Sequence, residues 1–131
     1  MNEKAIILKE RLNRDKFAIS CGIEIEELCA DYVLCKVELR EEHLNANGVG
    51  HGGLLFALAD FAFGVHANYL FENAVTQSGS ITYLAPALYT SHVYARSRFI
   101  AKEKHSCVFT VEISDDNGKI LSVANFDGFV K

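Results

Sequence analysis

The chain has 131 residues, half of them apolar and 23% charged, with nine Phe, five Tyr, nine Gly and a single Pro. This composition excludes a disordered or collagen-like chain and fits one domain spanning residues 1–131. The net charge is 13 − 17 = −4 with no basic run, which excludes nucleic acid as a partner on electrostatic grounds.

Residues 2–14 place Ala5, Ile6, Leu8 and Leu12 among charges, predicting an amphipathic N-terminal helix within residues 1–16. Its apolar run, Ala5 to Leu8, is too short for a signal peptide. Ala18 to Leu28 reads as a strand interrupted at Gly22. From Cys29 to Arg40 the pattern alternates. Cys29, Val33, Cys35, Val37 and Leu39 fall on one face, with Asp31 as the exception, and Lys36, Glu38 and Arg40 fall on the other. Glu41 to Gly50 is loop-like. His51-Gly52-Gly53 then opens a long helix, Gly53 to Phe71.

Ala74 to Leu84 follows as a strand with Thr76, Ser78, Ser80 and Thr82 on one face, ended by Pro86. Tyr89 to Ile100 and His105 to Ser114 are further strands. Asp116-Asn117-Gly118 signals a hairpin, because Asn-Gly accepts the positive φ angles of a tight turn. Lys119 to Val130 is the returning strand. Runs of strands around one long helix predict an α+β fold with an antiparallel sheet.

Cys21, Cys29, Cys35 and Cys107 lack zinc or dithiol spacing and read as reduced, mostly buried thiols, which implies a reducing, cytoplasmic compartment. His43, His51, His66, His92 and His105 show no ligand spacing, so no metal is expected. The long helix carries Asp60 near its middle. An ionised Asp at a bilayer centre costs about 2.5–3.5 kcal/mol, so a buried helix of a soluble domain is expected, not a membrane span.

That helix is apolar on nearly every side, and Asp60 is its anomaly. A carboxylate in apolar surroundings is costly unless it is paired or has a task such as general-base catalysis. Phe56, Ala57, Phe63, Gly64 and Ala67 surround it on the helical surface, and the small ones leave room for a second backbone or a thin ligand. Upstream, Gly52 and Gly53 expose backbone N–H groups at the positive end of the helix dipole, able to polarise a carbonyl. Eight residues separate Gly52 from Asp60, about 12 Å along a helix. One chain's Asp60 therefore does not reach a carbonyl held at its own helix start, whereas an antiparallel partner helix brings the two together. A capping or ion-paired Asp60 is the alternative reading.

The segment Asn45-Ala46-Asn47-Gly48-Val49-Gly50-His51-Gly52-Gly53, followed by Asp60, resembles the signature of hotdog-fold acyl-CoA thioesterases of the phenylacetate-degradation (PaaI) type. Ile81-Thr82-Tyr83-Leu84-Ala85-Pro86-Ala87 resembles that family's strand ending in a Pro-Ala turn, and the resemblance covers residues 17–130. It implies a long central helix wrapped by a curved antiparallel sheet and hydrolysis of an acyl- or aryl-CoA thioester. Gly52 would donate its N–H to the thioester oxygen and Asn45 would help polarise it. Asp60 of the partner subunit would act as nucleophile or general base. Thr76 would orient the water, with Ser78, two residues on along the same face, as the alternative. His51 would stabilise the loop and helix start, and Gly53 would help bind the substrate.

Cations for the coenzyme A phosphates would come from Arg96, Arg98, Lys102 and Lys104, with His105 nearby. Phe56, Phe63, Tyr69, Tyr83 and Phe99 are candidate lining for the acyl pocket. No cofactor is implied beyond the coenzyme A of the substrate. Hotdog hydratases use an Asp and a His at shorter spacing; Asp60 and His66 stand about 240° apart around the helix, which argues against hydration chemistry. The implied assembly is a homodimer or a homotetramer built as a dimer of dimers. A non-catalytic acyl-CoA or acyl-carrier-protein binding module and a purely structural dimerisation domain are the rival readings.

Overall fold

The computed structural model describes residues 2–89 and 91–131; Thr90, inside the strand expected from Tyr89, lies outside them. Helix α1 (Glu3–Leu12) is capped by Asn2, whose Oδ1 accepts the Ala5 N–H at 2.8 Å. Ala5 and Leu8 form its buried side, and Asn2 Nδ2 donates to Tyr69 Oη at 2.7 Å. The helix ends before residue 16, where a second one begins. The strand expected from Ala18 is instead helix α2 (Lys16–Cys21), and strand β1 (Glu24–Leu28) starts only after it. The reason is local: Asp15 caps the Ala18 N–H at 3.0 Å, and Gly22 closes the helix in the left-handed region at φ 78°.

Strand β2 (Val33–Glu38) pairs with β1 and keeps the alternation read from the sequence, with Val33, Cys35 and Val37 buried. Helix α3 (Gly52–Phe71) follows a loop with one 3-10 turn at Glu41–His43. Strands β3 (Ala74–Tyr83), β4 (His92–Glu103), β5 (Ser106–Ser114) and β6 (Ile120–Val130) complete one antiparallel sheet in the order β1-β2-β4-β5-β6-β3. The β5–β6 turn is tighter in φ than expected: Gly118 alone is left-handed, at 78°, while Asp115 Oδ1 accepts the N–H groups of Asn117 and Lys119.

α3 is long and apolar enough by length and composition to cross a membrane, yet it packs against the sheet. Phe63 stacks on Phe126 with centroids 5.2 Å apart and meets Phe109 edge-on at 5.1 Å. Each such ring, fully buried, stabilises by about 1.5–3 kcal/mol. Gly128 on β6 permits this: a Cβ there would lie 2.7 Å from Phe63 Cζ and 2.9 Å from Cys107 Sγ. His66 is a core residue on the covered side. Its Nε2–H donates to the Ala30 carbonyl at 2.8 Å and its Nδ1 accepts from Ser97 Oγ at 3.1 Å. It is bonded away from Asp60, consistent with the angular argument.

The sheet leaves one stripe of α3 open. Gly53 is exposed, and Ala57, Asp60, Gly64 and Asn68 are half-buried, one or two turns apart along the helix. β3 is an edge strand whose residues beyond Ala74 are exposed or half-buried. One chain thus leaves a helix face and a strand edge uncovered.

Candidate functional site

The loop before α3 is fixed by its own backbone. Asn45 N–H donates to the Val49 carbonyl at 2.8 Å, and Asn45 Oδ1 accepts from Asn47 N–H at 2.9 Å and Val49 N–H at 3.3 Å. Gly48 makes the turn at φ 76°. Gly50 N–H donates to the Ala87 carbonyl and His51 N–H to the His43 carbonyl, both at 2.8 Å. Asn45 Oδ1 is thus occupied by the loop, and its side-chain NH2 has no protein partner among the described residues.

His51 caps α3: its Nδ1 accepts the Gly53 N–H at 2.9 Å, so the ring holds the helix start and the Gly53 N–H is not free for a substrate as expected. That leaves the Gly52 N–H without a protein acceptor among the described residues, at the positive end of a 20-residue helix. A cavity of about 400 Å³ opens over it, lined by Asn45, Val49, Gly52, Leu55, Tyr83 and Pro86 among others. Of the five aromatic lining candidates, Tyr83 alone is in this cavity. Phe63 is locked in the core, Tyr69 holds Asn2, Phe99 packs on Phe71, and Phe56 tilts against Phe126.

Asp60 does not line this cavity, as the helical rise demands. It is half-buried on the open stripe and accepts a hydrogen bond from Thr76 Oγ1 at 2.7 Å. Charge-assisted bonds of this length fix a carboxylate's rotation and leave the second oxygen, Oδ2, available. No described cation pairs with Asp60; the salt bridges lie elsewhere.

The expected common face of Thr76 and Ser78 is not observed. A β-bulge sets Thr76 opposite Gly128 and Ser78 opposite Asp127, so two residues of β3 advance against one of β6. The extra residue reverses the alternation. Thr76 faces the helix, while Ser78 lies on the outer face and donates to Asp127 Oδ2 at 2.9 Å. A second bulge, between Phe99 and Ala101, divides the basic candidates. Arg98 is on the outer face opposite Thr110, whereas Lys102 sits opposite buried Cys107 with its ammonium 5.6 Å from the Phe71 ring centroid. Lys104 follows in the turn and accepts from Lys102 Nζ, and Arg96 covers the Tyr32 ring at 3.9 Å. The basic residues do not form one cluster. Lys102, beside Phe71, marks the opposite end of α3 from Gly52.

The thioesterase superfamily model matches residues 47–122, which contain Gly52, Asp60, Thr76 and Tyr83. The chain belongs to the thioesterase superfamily. Like other PaaI-type members it is a hotdog-fold thioesterase. It is 29% identical over 109 residues to the acyl-coenzyme A thioesterase PaaI of Escherichia coli, covering 83% of this chain and 78% of that one. Its structure is similar to that of the TT0310 protein of Thermus thermophilus, with TM-score 0.85 and 30% identity over 90% of this chain and 99% of that one. It is also similar to a hypothetical thioesterase of Streptococcus pneumoniae solved with coenzyme A, with TM-score 0.84 and 28% identity over 92% and 96% of the two chains. That Streptococcus protein has also been solved as two alanine variants, one of an Asp and one of a Thr 16 residues further on. Asp60 and Thr76 of this thioesterase have the same separation, 16 residues.

Tyr83 is the residue whose place in the site the sequence left least defined. Its signal was parity: on a strand ending at a Pro-Ala turn, the last inward side chain meets the start of the helix the strand covers.

Proposed function

We propose that this thioesterase hydrolyses the thioester of an acyl- or aryl-coenzyme A in a site shared between two subunits. The observation that carries the reading is the Thr76–Asp60 hydrogen bond, together with an unused Gly52 N–H at the mouth of a largely apolar cavity. The Asp and Thr varied in the Streptococcus protein, and the coenzyme A bound to it, support the same assignment.

In this mechanism the Gly52 N–H and the Asn45 side-chain NH2 hold the carbonyl oxygen, whose negative charge grows as the carbon becomes tetrahedral. Removing one such donor from an active site costs about 10²–10³ in rate. Asp60 of the partner subunit accepts a proton from water as the water oxygen bonds to the carbonyl carbon. The C–S bond then breaks, and the coenzyme A thiolate takes up the proton. Thr76 holds the Asp60 carboxylate in the orientation this requires. A direct attack by Asp60 on the carbonyl carbon would instead expel the coenzyme A thiolate and form an acyl anhydride that water hydrolyses; entry of label from isotopically labelled water into Asp60 in a single turnover would mark that route. No group beyond the substrate's coenzyme A is used.

The subunits are proposed to meet along the free edge of β3 and the open stripe of α3, giving a homodimer or a pair of such dimers. The uncovered edge and the small residues at Ala57 and Gly64 support this arrangement; a Cβ at Gly64 would meet nothing within 4 Å. Arg98, Lys102 and Lys104 are proposed to serve the phosphates separately rather than as one patch. The unpaired thiols of Cys21, Cys29, Cys35 and Cys107 suit a cytoplasmic setting. The test is release of free thiol from short-chain, medium-chain and aromatic acyl-CoA thioesters. Turnover by the wild type that is lost in Asp60→Asn supports the reading. Tight binding without release would support a carrier module and overturn it.

A further inference from the structure

The first turn of α3 is held from two sides. Tyr83 Oη donates to the Gly52 carbonyl at 2.7 Å, and the N–H of that same peptide group, on Gly53, donates to His51 Nδ1 at 2.9 Å. The Gly52–Gly53 peptide is thereby fixed at both ends. Tyr83 also explains why residue 52 is glycine: a Cβ there would lie 3.0 Å from both Cζ and Oη of Tyr83. Glycine brings soft backbone dihedrals, so their restraint must come from outside the residue. The ring occupies the space a side chain would take and its hydroxyl supplies the restraint.

The placement follows from β3. Beyond its bulge the inward side of the strand is Gly79, Ile81 and Tyr83, opposite Phe126, Ala124 and Ser122. Tyr83 is therefore the last side chain to face the helix before the chain turns at Pro86, and its hydroxyl meets the helix start. It remains 49% exposed, forming part of the cavity wall beside Asn45 and Gly52. Burial raises Tyr83 above its ordinary value of 10.0, so the hydroxyl remains a donor through neutral and mildly alkaline pH.

We infer that Tyr83 is a positioning residue for thioester hydrolysis, holding the Gly52–Gly53 peptide so that the adjacent Gly52 N–H stays aimed at the carbonyl oxygen of the substrate. The inference rests on the acyl-CoA reading above. A fixed donor matters most when the oxygen carries full negative charge, so the loss falls on the transition state more than on substrate binding.

The test is Tyr83→Phe, which keeps the ring and removes only the hydroxyl. Loosening a donor costs less than deleting it, so kcat falls by about 5–30-fold while KM stays within about twofold. A second readout needs no turnover. In ¹⁵N-labelled protein the Gly52 and Gly53 amide resonances shift, while the amide of Asn68 at the far end of α3 does not. An active wild type whose Tyr83→Phe variant keeps its kcat, or whose Gly52 and Gly53 amides do not move, overturns the role of Tyr83 and leaves the hydrolase reading intact. A wild type that releases no thiol from any CoA thioester overturns the hydrolase reading, and the catalytic role of Tyr83 with it.

Discussion

Replacing Thr76 by Val removes one hydroxyl and keeps the shape of the side chain. The lost contact is the 2.7 Å hydrogen bond from Oγ1 to Asp60 Oδ1. Hydrogen bonds to charged groups contribute about 1.5–3 kcal/mol when protected from water. Asp60 is half-buried and Thr76 is exposed in the single chain, so the contribution falls around and below the low end of that range, about 1–2 kcal/mol. If the bond serves to hold the carboxylate in its reactive orientation, that loss appears in the barrier as a fall in kcat of about 5–30-fold. Thermal stability changes little, because the bond is at the surface of one subunit. The assay is steady-state thiol release from an acyl-CoA that the wild type turns over, with Thr76→Ser beside Thr76→Val. The Ser variant retains most of the rate because it keeps the donor. Ser78→Ala stays within about twofold of wild type, because that hydroxyl is bonded to Asp127 on the outer face. A Thr76→Val enzyme with wild-type kcat, or a Ser variant as impaired as the Val one, would refute the assignment.

Three further outcomes concern stability. Gly128→Ala forces a Cβ to within 2.7 Å of Phe63 Cζ and 2.9 Å of Cys107 Sγ, and overpacking of this kind destabilises by about 1–3 kcal/mol, seen as a lowered denaturant midpoint. Ser122 Oγ is buried without a hydrogen-bond partner among the described residues, so Ser122→Ala is neutral or stabilising by up to about 1 kcal/mol; a clear loss would contradict this. His43 and His66 are both lowered from their ordinary value of 6.5, chiefly by burial, with Arg40 adding to the effect at His43. A lowered histidine binds fewer protons folded than unfolded, so its contribution to stability is complete above about pH 6.5 and is lost as pH falls below it. Tm measured from pH 7.5 to 5 therefore falls, and His66→Gln flattens the slope; an unchanged slope would count against His66 as a contributor.

Much of this arrangement was legible in the sequence because it depends on near-neighbour patterns. An all-round apolar helix with one carboxylate has few destinations other than the centre of a sheet, and Asp60 lies on a stripe the sheet leaves open. The alternation from Val33 to Val37 survived because nothing interrupts it. The errors arose where one residue changes the counting. The bulge beside Thr76 moved Ser78 to the opposite face, and the bulge beyond Phe99 separated Arg98 from Lys102. Bulges depend on how the partner strand is paired, which no local pattern encodes. α2 was misread because its cap at Asp15 and stop at Gly22 frame a segment too short to show a helical period. Tyr83 was legible as a wall of an acyl pocket but not as the partner of Gly52, since that contact joins residues 31 positions apart through the closure of the sheet over the helix.

The central claim is that Gly52 of one subunit and Asp60 of another act on one substrate. Two inactive chains test it: Asp60→Asn, and Gly52→Val, whose side chain would enter the space beside the Tyr83 ring. In a two-fold dimer each hybrid would hold one site with both residues intact and one with both altered. Random reassociation of equal amounts makes half the dimers hybrid, so thiol release should return to about a quarter of the wild-type rate. Hybrids that form, as shown by differently tagged subunits co-purifying, yet remain as inactive as their parents would contradict the shared site.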